Sequence, residues 1–343
     1  MKKYLLPKEG TFYKSNLHTH TNISDGAQSP ETVKEVYKSM GYSVVAFTDH
    51  DIFLDFQHLT DDTFLALNGI EYSTPFEIKD DIHFRKKRCH FTAIAKDKNN
   101  LIMPCYHRSK YFNSKTSDEY KSMVKFDESL PDFEREYSGE CIDKMMQICQ
   151  EKGFFVVYNH PTSSLERYPD YIQYKHIDAM EIYNGVSIMS GKNDYNPSEY
   201  EDFLMAGRRI YCLGNDDSHL KYMDSPVHTD AGRAFTMIKA KELSYEAIID
   251  ALTKGQMYAS EGPEIYDLYY EDGKVHIRTS DCVRISLSMC GRRTRSVKDE
   301  GMGLNEAAFE VYEDDLYVRF TVEDKYRKTA STRAYFLDEF IDK

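Results

Sequence analysis

Three features are missing from this sequence, and each absence argues against a class of protein. No apolar run is long enough to cross a bilayer, so no transmembrane helix is predicted. The N-terminus begins with two lysines, but Pro7, Lys8 and Glu9 interrupt the apolar stretch that a secretory signal peptide requires. Basic residues are scarce, since 44 Lys and Arg stand against 57 Asp and Glu, a net charge of −13. That charge repels a polynucleotide, so we expect neither a membrane nor a long nucleic acid as partner.

Cysteine pairs are absent as well. The seven Cys are an odd number and show neither a CxxC pair nor zinc-finger spacing, which argues against a disulfide framework or a thiolate zinc site. Cys141, Cys149 and Cys212 lie on apolar faces of predicted elements, as buried free thiols do. We therefore expect a cytoplasmic protein. The 343 residues, 41% hydrophobic and 29% charged, fit one large globular domain with a small appendage.

Short apolar runs alternate with helical patterns over the first two-thirds of the chain. They cover residues 44–47, 64–67, 91–95, 154–158, 179–182, 209–213 and 234–238. Strands that alternate with helices predict parallel pairing, so the fold class is α/β.

The pattern changes after Gly262 and Pro263. Alternating strands follow, with a hairpin turn at Asp272 and Gly273. We predict a large α/β domain over residues 1–262 and a small antiparallel β-rich accessory domain over residues 263–343. Residues 104–137 are charged, Tyr-rich and too long for an ordinary connection, so they are interpreted as an insertion or lid.

Potential metal ligands follow the predicted strand ends. They are His18 and His20, residues 49–51, Glu71, His160 and residues 216–219. Each motif alone has an ordinary explanation, such as a helix cap at Asp49 or a turn with a hydrogen-bonded histidine at His160. Because the carboxyl ends of parallel barrel strands converge on one rim, their joint occurrence favours a shared metal site.

The ligand types indicate the chemistry. Imidazole and carboxylate without thiolate suit Zn, Mn or Fe, and more than four ligands indicate more than one ion. Paired ions can activate a water and stabilise charge on a displaced oxygen, which is the chemistry of hydrolysis.

These motifs resemble the polymerase and histidinol phosphatase (PHP) superfamily of metal-dependent phosphoesterases. The resemblance rests on residues 16–20 (NLHTH), 24–26 (SDG), 47–51 (FTDHD), 69–71 (GIE), 159–161 (NHP) and 217–219 (DSH). Residues 255–263 resemble the end of the barrel in two-domain members. The resemblance implies a distorted seven-stranded, TIM-like β/α barrel followed by the small β domain.

The resemblance also implies a ligand set for two or three divalent ions of Mn, Fe or Zn. One ion would be held by His18, His20, Glu71 and Asp217; a second by Glu71, His90 and His160; a third by Asp25, His50 and His219. His83 or His107 could replace His90, which precedes its strand instead of following it. Asp49, Asp51 and Asp216 would orient imidazoles.

The implied activity is hydrolysis of a small phosphorylated metabolite or nucleotide by a metal-bound hydroxide. Asp25, His50 and His219 would serve catalysis, with the leaving-group proton coming from water or from His219. Arg108 and Arg233 are the expected phosphate-binding residues, ahead of residues 85–88 and Lys110. Hydrolysis of another ester, a carbamate or an amide stays open, as does a non-catalytic binding module; the oligomeric state is undetermined.

Overall fold

The computed structural model describes residues 2–79, 84–223, 225, 227–291 and 294–341. The strands are β1 (Lys3–Tyr4), β2 (Thr11–Asn16), β3 (Val44–Phe47), β4 (Leu65–Lys79), β5 (Phe84–Ala95), β6 (Phe154–Tyr158), β7 (Ala179–Asn184), β8 (Tyr211–Asn215), β9 (Phe235–Ala240), β10 (Met257–Ser260), β11 (Ile265–Glu271), β12 (Lys274–Cys282), β13 (Arg284–Met289), β14 (Thr294–Lys298), β15 (Leu304–Glu310), β16 (Tyr317–Glu323), β17 (Thr329–Thr332) and β18 (Tyr335–Phe336). The α-helices are α1 (Pro30–Ser39), α2 (Asp118–Met123), α3 (Gly139–Glu151), α4 (Pro161–Ser164), α5 (Tyr168–Tyr171), α6 (Gly185–Met189), α7 (Pro197–Met205) and α8 (Tyr245–Thr253). Short 3₁₀ helices cover Gln57–Leu59, Glu313–Asp315 and Leu337–Glu339.

Most strands form one mixed 14-stranded sheet in the order β14-β13-β16-β17-β10-β9-β2-β3-β4-β5-β6-β7-β8, with β18 beside β16. The pairs β2–β3, β3–β4, β6–β7 and β7–β8 are parallel. Strands β3, β6 and β7 are buried along their whole length, as expected for strands covered on both faces. The α/β class predicted from the alternating runs is confirmed.

The seven-stranded barrel is not confirmed, because the sheet is not closed. Strand β8 ends the strand order, and the described residues form no β8–β2 ladder. The segments that follow β2 and β8 meet beyond these strands, at an isolated bridge between Thr19 and Ser218. There the amide of His20 donates to the Ser218 carbonyl at 2.9 Å, and the amide of Asp217 donates to the His18 carbonyl at 3.0 Å. The segments after β2 and β8 therefore meet at the predicted ligand motifs.

The prediction of parallel pairing is wrong for three strand pairs of the large domain, which involve β5 and β9. Strand β5 is antiparallel to both β4 and β6, and β9 is antiparallel to β2. Only residues 80–83 separate β4 from β5, whereas a parallel connection needs a crossover of about a dozen residues or more. Apolar runs therefore located these strands without revealing their direction.

The C-terminal residues contribute to two sheets. Strands β11, β12 and β15, together with β1, form a separate four-stranded antiparallel sheet. The predicted hairpin is confirmed, since Glu271 pairs with Lys274 and the turn residues Asp272 and Gly273 have φ of 49° and 79°. Strands β13, β14, β16 and β17 instead extend the large sheet, where β17 pairs with β10. The domain division at residue 263 stays a prediction.

Helices and sheet enclose apolar clusters on both sides of the central strands. Helix α1 begins at Pro30 after Ser29, whose hydroxyl accepts from the amide of Thr32 at 3.3 Å. All seven cysteines are free; Cys149 and Cys212 are buried as expected, while Cys141 is half-buried. Among the described residues, no helix is long and apolar enough to cross a membrane.

Candidate metal centre

The nine predicted metal ligands lie together where the segments after β2 and β8 meet. Ligand atoms within 4.8 Å of one another define two four-residue groups: His18, His20, Glu71 and Asp217; and His20, Asp25, His50 and His219. Two further groups are His50, Glu71 and His90; and His18, His160 and Glu181. The structure thus brings the nine predicted ligands together from six separate segments of the chain, and Glu181 from a seventh. Their division among particular ions stays a prediction.

Glu71 is at the centre of the cluster. Its Oε1 is 3.1 Å from His18 Nε2, 3.1 Å from His90 Nδ1 and 3.3 Å from His160 Nε2. Its Oε2 is 3.0 Å from His50 Nδ1 and 3.4 Å from His20 Nε2. The two oxygens of one carboxylate therefore face different imidazoles, as a bridging ligand would.

Strand direction explains the position of His90. Strand β5 runs antiparallel to β4, so residues in the middle of β5 lie beside the part of β4 that follows Glu71. His90 is paired with Ser73, two residues beyond Glu71 on β4, and Ser73 Oγ is 3.0 Å from His90 Nε2. Of the two alternatives to His90, His107 bonds Glu134 at 3.1 Å, away from the cluster, and His83 lies outside the described residues.

Neighbouring groups fix the orientation of several imidazoles. His18 Nδ1 is 2.8 Å from Glu181 Oε1, His160 Nδ1 is 3.1 Å from Ser164 Oγ, and His219 Nδ1 is 3.0 Å from the carbonyl of Asp217. The opposite nitrogens, all Nε2, face the cluster. Such hydrogen bonds fix the tautomer and orientation of metal-ligating histidines.

Sequence reasoning missed Glu181. It lies inside the apolar strand β7 and is fully buried, and its carboxylate also accepts from Asn184, Asn215 and the amide of His160 at 3.0–3.1 Å. A charged residue within an otherwise apolar strand was the available signal, because a buried carboxylate requires partners.

The three aspartates predicted to orient imidazoles instead hold loops. Asp49 accepts from the amides and hydroxyls of Thr21 and Ser24 at 2.6–3.2 Å. Asp216 accepts from the backbone amides of residues 232–234 at 2.6–2.8 Å. Asp51 forms a buried ion pair with Arg135. That prediction is wrong in detail, because these carboxylates position the loops that carry the ligands.

Electrostatics in the cluster favour a central cation. Burial alone would lower the pKa of the imidazoles, but Asp217 and Glu71 raise the pKa of His20 to about 10 and that of His160 to about 9. Burial would raise the pKa of Glu71, yet the surrounding histidines hold it well below its usual value. Burial lowers the pKa of His90 to about 4, so its imidazole is neutral near pH 7. The carboxylates that attract protons here would equally attract metal ions.

The hydrogen-bond inventory shows that these residues fit divalent ions. His20 Nδ1, His50 Nδ1, His90 Nδ1 and Glu71 Oε2 are buried and form no hydrogen bond, although His50 Nδ1 lies 3.0 Å from Glu71 Oε2 and His90 Nδ1 lies 3.1 Å from Glu71 Oε1. Buried polar atoms are normally paired, so four orphaned ligand atoms in one cluster require another explanation. Divalent ions coordinated by nitrogen and oxygen would supply it.

One side of the cluster is open. The side chains of Asp25, His50 and His219 are 26%, 14% and 16% exposed, whereas those of His18 and His20 are fully buried. His219 Nε2 lies 3.4 Å from Asp25 Oδ1. The residues predicted to serve catalysis therefore line the accessible side.

A cleft of about 390 Å³ adjoins His90 and His160. It is lined by Lys86, Lys87, Arg88, His90, His160, Ser163, Ser164, Leu165, Val186, Ser187, Ser190 and Lys192. No carboxylate is among these lining residues, although the chain as a whole is acidic. The cleft beside His90 and His160 is therefore lined by cationic side chains, and it is called the basic cleft below.

The two arginines predicted to bind phosphate are engaged elsewhere. Arg108 Nη1 is 2.6 Å from Asp132 Oδ1, and its Nη2 donates to two carbonyls of the same insertion. Arg233 Nε and Nη2 donate to the carbonyls of Thr229 and Val227 at 2.9 Å. Substrate binding by Arg108 and Arg233 stays a prediction.

Arg135 was not predicted. It lies near the end of the insertion, in a segment without clear periodicity, and its side chain is only 2% exposed. Its guanidinium pairs with Asp51 and lies over the rings of Tyr72 and Tyr111. This contact ties the insertion to the loop that carries His50.

No family model matches the chain, and no curated protein matches it in sequence. Among solved structures, it is similar to a two-domain protein from Bacteroides vulgatus ATCC 8482 that contains a predicted PHP-like metal-dependent phosphoesterase; identity is 16%, the TM-score is 0.45, and 97% of this chain and 98% of that one are covered. A predicted metal-dependent phosphoesterase from Bifidobacterium adolescentis ATCC 15703 has 14% identity and a TM-score of 0.40, with 64% of this chain and 91% of that one covered. An amidohydrolase from Chromobacterium violaceum, solved with sulfate and without metal, has 14% identity and a TM-score of 0.38, with 62% and 92% covered.

Proposed function

We propose that this chain is a metal-dependent phosphoesterase that hydrolyses a small phosphorylated metabolite or nucleotide. The observation that carries the proposal is the cluster of imidazole and carboxylate groups around Glu71, in which four buried ligand atoms form no hydrogen bond. Divalent ions held there would activate a water and stabilise the charge that develops on a phosphoryl oxygen. Every ligand that the sequence predicted is among the described residues and in the cluster, which argues against a binding module that has lost its chemistry.

Residues of the chain have distinct tasks in this proposal. Glu71 would contact two neighbouring ions, because its two oxygens face different imidazoles. Asp217 and His20 would complete the ligand set of one of them. Glu181 would hold the His18 ring so that Nε2 stays directed into the cluster.

The proton of the leaving group is assigned to His219. Its ring lies on the accessible side, Nδ1 is held by the carbonyl of Asp217, and Nε2 is directed toward Asp25. A histidine in such a position can hold a proton at Nε2 and deliver it to a leaving oxygen. His50, also on this side, would bind the same part of the substrate or a third ion.

The basic cleft supports phosphate over a neutral amide or carbamate. Cationic side chains beside the cluster attract an anionic substrate but have little effect on a neutral one, so they favour phosphate esters over neutral substrates. The finer parts of the proposal are a distorted barrel of the PHP type, Mn, Fe or Zn as the metal, and a cytoplasmic location; the free thiols support a reducing compartment.

Metal content and substrate class test the proposal together. Elemental analysis of protein never exposed to chelator should find about two or more divalent ions per chain, as the number of ligands requires. Glu71→Gln keeps the shape of the side chain but removes its charge, and should reduce that content to below about one ion. Glu166→Gln is the matched control, because Glu166 is also a buried glutamate but bonds three tyrosines instead of the cluster.

The metal-loaded protein should then hydrolyse phosphomonoesters in preference to carbamates, amides and carboxylic esters. Bound metal with amide or carbamate hydrolysis and no phosphoester hydrolysis would assign the site to the alternative chemistry. Less than one ion per chain, unchanged by Glu71→Gln, would refute the metal centre itself.

A further inference from the structure

The basic cleft contains two cations that the cluster does not need. Arg88 and Lys192 both line it, and within the described residues neither forms an ion pair or a side-chain hydrogen bond. Their neighbours differ, since Lys86 lies 3.4 Å from Glu77 and Lys87 lies 2.6 Å from Asp170.

Strand geometry fixes the direction from the cluster to Arg88. His90 and Arg88 are two residues apart on β5, so their side chains project from the same face, and successive same-face positions lie about 7 Å apart. His90 pairs with Ser73 and Arg88 with Pro75 on β4, one step farther from Glu71. Arg88 therefore extends the wall of the cleft away from the ligands.

Lys192 comes from a different part of the fold. It follows α6, which begins directly after β7, and its amide donates to the carbonyl of Ser187 at 2.9 Å. Ser187 and Ser190, from the same turn, also line the cleft. Two separate segments thus place a guanidinium, an ammonium and hydroxyls around one space, and none of its described lining residues is a carboxylate.

We propose that the basic cleft binds a second anionic group of the substrate, so that the substrate is a phosphoester with a phosphate or carboxylate several bonds from the ester. This inference rests on the proposed function, which requires the scissile phosphoryl group to lie at the cluster; the cleft adjoins that cluster at His90 and His160. A cleft of about 390 Å³ falls within the range of small-ligand sites and exceeds what that one group needs. Arg88 suits the second group because a guanidinium binds carboxylate or phosphate oxygens in pairs.

Three phosphomonoesters separate the possibilities. Glycerol 1-phosphate has a neutral tail, 3-phosphoglycerate carries a carboxylate, and fructose 1,6-bisphosphate carries a second phosphate. The metal-loaded wild type should favour one or both doubly anionic substrates in kcat/KM. Arg88→Ala and Lys192→Ala should each reduce that kcat/KM about tenfold or more, as loss of a charge-assisted hydrogen bond does, and change it less than about twofold for glycerol 1-phosphate. The substrate with the larger loss identifies the second group as carboxylate or phosphate.

Two further variants and a binding measurement complete the test. Lys241→Ala removes an exposed lysine outside the cleft and should behave as wild type. Arg88→Lys keeps the charge and should retain part of the preference. Titration of metal-stripped protein with inorganic phosphate should show binding that Arg88→Ala weakens about tenfold and Lys241→Ala leaves unchanged.

The outcomes distinguish this inference from the proposed function. Phosphoester hydrolysis with no preference for a charged tail, equal in wild type and Arg88→Ala, would overturn the cleft assignment and leave the function intact. Phosphate binding that depends on Arg88, without hydrolysis of any phosphoester, would retain the anion site and overturn the function.

Discussion

Arg135→Met should destabilise the folded protein, because it leaves the carboxylate of Asp51 buried without its ion-pair partner. The two side chains are 2% and 9% exposed. Removing one partner of a buried pair costs about 3–5 kcal/mol. Arg135 Nε has no hydrogen-bond partner, so part of the guanidinium is already unsatisfied in the wild type. We therefore expect a loss of unfolding free energy at the lower end of this range, about 3 kcal/mol.

A double-mutant cycle isolates the pair. Asp51→Asn keeps an oxygen for the amide of Ser73, now 3.3 Å away, and Asn tolerates the left-handed φ of 56° at this position. In the Arg135→Met/Asp51→Asn double variant no charge is buried, so the loss should be smaller than the sum of the single losses by about 2 kcal/mol or more.

Urea unfolding followed by circular dichroism suits this protein, because it has no Trp to report by fluorescence. Arg108→Met is the matched control from the same insertion: its pair with Asp132 is 42% and 33% exposed, and such pairs contribute about 1 kcal/mol or less. Single losses that simply add, or an Arg135→Met effect no larger than that of Arg108→Met, would refute the buried ion pair as the anchor of the insertion.

Two buried glutamates give the remaining predictions. Glu181→Gln should weaken metal binding about 10–100-fold in competition with a chelator, because it changes the group that orients His18, and an unchanged affinity would contradict that role. Burial raises the pKa of Glu166 above its ordinary value of 4.5, although hydrogen bonds from three tyrosine hydroxyls act to lower it. The folded state therefore favours the protonated carboxyl, and the protein loses stability as the pH rises through this raised pKa. Glu166→Gln cannot ionise, and its free energy of unfolding relative to wild type should therefore increase between about pH 4 and pH 7; a pH-independent difference would contradict the shift.

The cluster could be predicted from the sequence because its ligands follow strands whose apolar runs are unmistakable. His50 and His160 each follow such a run, His18 follows the less apolar strand β2, and the carboxyl ends of neighbouring parallel strands converge whatever the rest of the fold does.

Strand direction could not be predicted in the same way. An apolar run reports burial, and β5 is as apolar near its end as the parallel strands are, so its antiparallel pairing with β4 was missed. The same limitation made His90 look misplaced, although antiparallel pairing puts it beside Ser73 and the cluster.

Arg135 and Glu181 show a second limit. Both are charged residues whose partners are distant in sequence: Asp51 is 84 residues from Arg135, and His18 is 163 residues from Glu181. Composition and periodicity describe neighbours along the chain, so neither pair had a local signal beyond the unusual position of Glu181 within a strand.

The meeting of the segments after β2 and β8 at the cluster has a consequence for the unfolded chain. His20 and Asp217 are 197 residues apart, and an ion held by both would act as a cross-link closing a loop of that length. Loop-closure entropy grows only with the logarithm of loop length, so in the chain-entropy picture such a cross-link stabilises the fold by about 5 kcal/mol. The N-terminal ligand motif also cannot complete its site until residue 217 has left the ribosome, so metal capture belongs to the later stages of folding during synthesis.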